Sequence, residues 1–167
     1  MPHDEYILAY VIGSLPEEKN FIAWPLHITL MPWFILDNQK SETEAAILLA
    51  ELFAKYEPMQ LKTSSQALFG PRNTVPVQEI NTSPELQRLH NDVLKLLQDK
   101  QWDIAAKHYT GATFRPHITL KKGKQVPHTL TLDKIHLVKA PIADPRTRVK
   151  KVMRVLPLGG FHAKATA

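Results

Sequence analysis

The tetrapeptide His-Ile-Thr-Leu occurs twice in this chain, at His27–Leu30 and at His117–Leu120, with Pro25 two positions before the first histidine and Pro116 directly before the second. In a β-strand successive side chains point to opposite faces. Each copy therefore sets a histidine and a threonine, His27 with Thr29 and His117 with Thr119, on one face, and an isoleucine and a leucine on the other. Such a repeat demands two strands with one buried and one wet face. Four letters recur by chance in some chains, and Ile-x-Leu is ordinary strand material. Both copies, however, keep the two chemically useful residues in the same phase, which argues for a shared task.

Two imidazoles facing each other across a cleft supply one ring for each side of a phosphorus atom, and the two hydroxyls can hold its non-bridging oxygens. Metal-free cleavage of a phosphodiester needs that arrangement. The wider sequence around the motifs, Pro25-Leu26-His27-Ile28-Thr29-Leu30 and Phe114-Arg115-Pro116-His117-Ile118-Thr119-Leu120, about ninety residues apart, resembles the 2H phosphoesterase superfamily, the 2'-5' RNA ligase-like proteins. Leu86 to Leu97, with Leu89-His90, is similar to the leucine-rich helix that precedes the second motif in bacterial members. The resemblance covers most of the chain. It implies an α+β fold of two lobes related by a pseudo-twofold, with two antiparallel sheets lining a central cleft and helices packed outside, residues 1–167 forming one domain.

What the resemblance implies for the site is an acid/base pair, His27 and His117, with Thr29 and Thr119 on the phosphate oxygens. Lys122 stands where many relatives carry an arginine, so it can neutralise a phosphate but lacks the bidentate fork. Tyr10, Trp33, Phe69 and Phe114 flank the motifs and are candidates to stack a base, although aromatics at such positions are more often core. The motif exit Met31-Pro32-Trp33-Phe34 departs from the family's longer apolar strand, which leaves the pocket shape open.

The chain has 167 residues, enough for a real core, with 44% hydrophobic and 22% charged residues, an ordinary globular balance. With no cysteine there is no thiolate chemistry and no disulfide, which fits a reducing cytoplasm. No apolar run reaches bilayer length and the N-terminus lacks the pattern of a signal peptide, so the expectation is a cytoplasmic monomer without a membrane partner. None of the 8 histidines forms an i, i+4 pair with a nearby carboxylate, and no glycine-rich phosphate loop or serine elbow is present; neither a metal nor an organic cofactor is expected.

The net charge of +5 is unevenly spread. Lys121, Lys122 and Lys124 follow the second motif, where they would either hold flanking phosphates or form a solvated face. Arg146, Arg148, Lys150, Lys151 and Arg154, after the turn at Asp144-Pro145, read as a solvated face.

Local signals predict strands at Tyr6–Ile12 and at His27–Leu36, the latter interrupted at Pro32, and a helix opened by the capping box Ser41-Glu42-Thr43-Glu44 and running to Tyr56. A hairpin pairs Gln60–Leu68 with Val75–Ile80. Ser83 caps a second helix with Pro84 at its first position, striped by Leu86, Leu89, Val93 and Leu96 through to Lys100. His90 reads as a helix-face residue. Asp103 to Arg115, including His108-Tyr109, shows no period, and strands follow at His117–Lys121, Thr129–Lys139 and Lys151–Leu158.

The sequence thus points to an enzyme that cleaves 2',3'-cyclic phosphate or 2'-5' phosphodiester bonds in RNA ends, oligonucleotides or small cyclic nucleotides. The reverse reaction, 2'-5' RNA ligation, and a non-catalytic RNA- or nucleotide-binding module of the same fold are the alternatives.

Overall fold

The computed structural model describes residues 4–105, 109–142 and 148–159. Among them are nine strands and two α-helices: β1 (Asp4–Val11), β2 (Asn20–Phe21), β3 (His27–Ile35), α1 (Gln39–Ala54), β4 (Met59–Phe69), β5 (Val75–Ile80), α2 (Pro84–Asp99), β6 (His117–Thr119), β7 (Thr129–Leu132), β8 (Lys134–Pro141) and β9 (Lys150–Pro157), with a single 3-10 turn at Gly111–Thr113. The strands pair in the order β2-β9-β8-β1-β3-β6-β5-β4-β7, all antiparallel.

Leaving aside the two-residue β2, four strands lie on each side of the contact between β3 and β6. That contact is the seam of the molecule. It rests on one register pair, Ile28 opposite Ile118. The expected two sheets are therefore present as two lobes joined edge to edge, with the two motif strands as their meeting edges.

Both helices cover the same side. Leu49 and Phe53 of α1 and Leu89, Val93 and Leu97 of α2 are buried in the same core as Ile28, Leu30 and Ile118, apolar residues of the two motifs. Fully burying one such side chain contributes about 1.5–3 kcal/mol. A smaller cluster, Ile7, Val11, Leu15, Val138 and Val152, lies apart from this core, with Phe21, Trp24 and Trp33 packed on it.

Several predicted boundaries shift for identifiable reasons. Helix α1 starts two residues before Ser41, because Asn38 takes the cap: its side chain accepts from the Ser41 backbone N–H at 2.9 Å. Ser41 sits inside the first turn. Ser83 does cap α2 with Pro84 in the first turn, as the sequence indicates. Pro32 does not interrupt β3; the strand runs through it, with two register shifts against β1, between Tyr6 and Leu8 and between Leu8 and Ala9. The strand expected over Thr129–Lys139 breaks at Asp133, since β7 pairs with β4 in one lobe and β8 with β1 in the other. Among the described residues no helix is long and apolar enough to cross a membrane.

Candidate active site

The register at the seam builds the site. With Ile28 opposite Ile118, one step each way along an antiparallel pair sets His27 across from Thr119 and Thr29 across from His117. All four side chains leave the face opposite Ile28 and Ile118, which the helices cover. The two histidines are diagonal neighbours, a relation that places such residues roughly 7–8 Å apart.

Each imidazole is fixed in the same way, by the carbonyl two residues before it. His27 Nδ1 lies 2.9 Å from the Pro25 oxygen and His117 Nδ1 lies 2.7 Å from the Arg115 oxygen. A carbonyl only accepts, so Nδ1–H donates in both rings and Nε2 is left for chemistry. The two motifs thus share a tautomer as well as a sequence.

Their surroundings differ. Trp24 stacks on His27 with ring centroids 4.2 Å apart, and Phe21 meets Trp24 edge-on. Burial there pushes His27 down to about 4; the Pro25 carbonyl opposes that, while Lys121, His117 and Lys150 add to it as positive neighbours. His27 is therefore neutral near pH 7. His117 instead meets Phe69 at 4.6 Å and Tyr109 at 5.9 Å, both edge-on. Arg115 lies over the Phe69 ring at 4.4 Å and is bound to Glu79 through Nε and Nη2 at 3.1 and 2.7 Å.

Beside Thr29 and His117 opens a cavity of about 270 Å³ walled by Ile7, Trp33, Tyr109, Phe114 and Arg115. Trp33 reaches it because it keeps the alternation phase of His27 and Thr29, the two one-residue register shifts between Thr29 and Phe34 together restoring that phase. Phe114 contributes one edge while its ring stacks on His90 at 4.0 Å.

The remaining sequence candidates separate. Tyr10 pairs with Ile28, so its side chain shares the helix-covered face and packs on the main core, away from His27. Lys122 occupies an exposed turn after β6, and among the described residues no contact joins it to the four motif side chains. Of the lysines that follow the second motif, Lys121 and not Lys122 reaches the turn before His27, its Nζ donating to the Trp24 carbonyl. Strand alternation from His117 through Thr119 leads to Lys121 and skips Lys122, a signal present in the sequence.

His90 is more than a helix-face residue: it is fully buried, its Nδ1 donates to the Leu30 carbonyl at 2.8 Å, and its Nε2 accepts from the Gly111 N–H at 2.8 Å. It ties the first motif strand to the approach of the second. The chain end is not wholly solvated either, since Lys150 is buried and the Arg148 side chain pairs with Glu5. His108, Asp144, Pro145 and Arg146 lie outside the described residues. Trp24 and Lys150 carried no motif signal, and their roles emerge only from the folded chain. No group of three or more His, Cys, Asp or Glu side chains converges as a metal site among the described residues.

The same fold occurs in TT0787 of Thermus thermophilus, at 17% identity and a TM-score of 0.61 over 95% of this chain and 100% of that one. It occurs also in E. coli LigT complexed with 3'-AMP, at 14% identity and a TM-score of 0.62 over 95% and 99% of the two chains. No curated protein sequence matches. The structure is thus that of a LigT-like α+β protein with paired His-x-Thr motifs meeting at its central seam. The family model of the 2'-5' RNA ligase superfamily matches residues 14–154, and the chain belongs to that superfamily.

Proposed function

We propose that the protein is a phosphodiesterase that opens 2',3'-cyclic phosphate or 2'-5' phosphodiester bonds of RNA ends or nucleotides by two-histidine acid/base catalysis. The observation that carries this reading is the seam register, which sets His27, Thr29, His117 and Thr119 on one face, with both Nδ1 atoms held by carbonyls so that Nε2 is the free nitrogen of each ring. His27, neutral in the free protein, suits the base: its Nε2 takes a proton from the attacking water as the P–O bond to that water forms. His117, as the acid of the pair, gives a proton from Nε2 to the ribose oxygen as that P–O bond breaks. Thr29 and Thr119 donate to the non-bridging oxygens, whose charge rises in the transition state. The product is a phosphomonoester, and solvent resets both rings.

The cavity beside His117 supports a nucleoside on the leaving-group side, with Trp33 and Tyr109 offering faces to a base. LigT has been crystallised with 3'-AMP, with NADP+ and with ATP, and a nucleotide-binding relative of the same fold agrees with a nucleotide or RNA substrate here.

The test is product chromatography in EDTA after incubation with nucleoside 2',3'-cyclic phosphates and with 2'-5' and 3'-5' linked oligonucleotides. Wild type is expected to cleave one class, and His27→Ala and His117→Ala each to lose about 10²–10⁴-fold, the usual worth of a positioned acid or base. Joining of a cyclic phosphate end to a 5'-hydroxyl end would shift the reading to ligation, the same chemistry reversed. Binding without turnover, indifferent to both substitutions, would leave only a binding module.

A further inference from the structure

Two lysines from distant parts of the chain converge beside His27. Lys150, at the start of β9, is 6% exposed, and its Nζ lies 2.6 Å from the Ile22 carbonyl and 3.4 Å from that of Arg148. The same ammonium stands 5.6 and 6.0 Å from the ring centroids of Phe21 and Trp24. Lys121, two residues beyond Thr119, donates to the Trp24 carbonyl. Both cations are thus pinned to one short turn, residues 22–24, which leads into the first motif.

Neither is neutralised. Arg115, Lys139, Arg148 and Lys151 each pair with a carboxylate, whereas among the described residues no carboxylate lies within ion-pair distance of Lys121 or Lys150. Burying an unpaired ammonium is costly, and a second one nearby adds to the cost. The strain registers on Lys150, whose pKa is lowered by burial first and then by Arg148 and Lys121. An ammonium has three N–H donors, and the carbonyls engage one on Lys121 and two on Lys150. The unused donors and uncompensated charge call for an anion.

We infer that Lys121 and Lys150 form a second phosphate subsite on the His27 side of the cleft, selecting substrates that carry another phosphate next to the one being cleaved. The inference rests on the reading that the four motif side chains hold the reacting phosphate. It names the substrate class more closely: an oligonucleotide end or a 5'-phosphorylated nucleotide is preferred over a bare nucleoside cyclic phosphate. The competing account is that the lysines only brace the 22–24 turn.

Calorimetric titration of nucleoside 3'-monophosphate and nucleoside 3',5'-bisphosphate into wild type, Lys150→Met and Lys121→Met separates the two. Methionine keeps the apolar stem and removes the charge. Wild type is expected to bind the bisphosphate at least about tenfold tighter, the worth of a charge-assisted hydrogen bond. Each variant should lose that gain while holding the monophosphate within about twofold, and the salt dependence of bisphosphate binding should flatten by about one phosphate contact. Equal wild-type affinities, or a gain that survives in both variants, overturns the subsite. If Lys150→Met does not fold by circular dichroism, Lys121→Met decides alone. Binding needs no turnover, so a lysine-dependent preference in a protein that cleaves nothing would sink the catalytic reading and leave the subsite standing.

Discussion

His27 and His117 share a motif and a tautomer yet differ in setting, and that difference has consequences at pH. Because burial holds His27 down at about 4, the base limb of kcat/KM should fall only as pH drops toward 4. In the complex, the bound phosphate's negative charge favours the imidazolium, so the corresponding limb of kcat should lie at higher pH; coincident limbs in pH–rate profiles would contradict this. Stability responds in the same window. The unfolded ring binds its proton near 6.5 and the folded one only near 4, so between those values the unfolded state holds more protons and folding weakens as pH falls. His90 and His136, also lowered chiefly by burial, act with the same sign. The urea midpoint should be lower at pH 5 than at pH 7.5, and His27→Gln should narrow that gap. At the cavity, Trp33→Ala should raise KM for nucleoside 2',3'-cyclic phosphates by about tenfold, the scale of one base–aromatic stack, and leave glycerol 1,2-cyclic phosphate unaffected. The shared face of His27, Thr29, His117 and Thr119 was legible in the letters because strand alternation is a local rule; the placement of Trp24 and Lys150 was not, because it arises from a turn folding back over another strand.

Among elements, the helices show where local rules compete. Ser41 has the spacing of a capping box, but Asn38, three residues earlier, satisfies the Ser41 N–H and starts α1. Asn38→Ala should therefore cost about 1 kcal/mol in chemical denaturation, against a few tenths for Ser41→Ala. The reverse order would restore the capping box. Proline in β3 misled for a related reason: an interior proline is disfavoured in a sheet, but paired register shifts let β3 pass through Pro32 and, being two, leave Trp33 on the face of His27 and Thr29. The ends of helix α2 were legible almost to the residue from Ser83 and Pro84, while its buried stripe runs from Leu86, Leu89 and Val93 to Leu97 rather than Leu96. What its sequence did not disclose was the work of His90, whose partners, Leu30 and Gly111, are 60 and 21 residues away.

Across the whole molecule, two four-strand lobes meet at a seam with one register pair. Ile118 is fully buried there, and Ile118→Ala should cost about 2–5 kcal/mol. The loss of activity should exceed the loss of folded protein measured by circular dichroism, because the seam also aligns the two imidazoles; strictly parallel losses would show that register is held elsewhere. The strand order could not be read from the sequence, since long-range pairing leaves no periodic trace. The seam also sets an order in time. His27 and His117 come from chain segments some ninety residues apart, and neither lobe alone assembles the pair. Contacts of such separation form late, after the entropy of closing long loops has been met by more local structure. Catalytic competence should therefore be the last property the chain acquires during refolding, and turnover can serve as a clock for the completion of the fold.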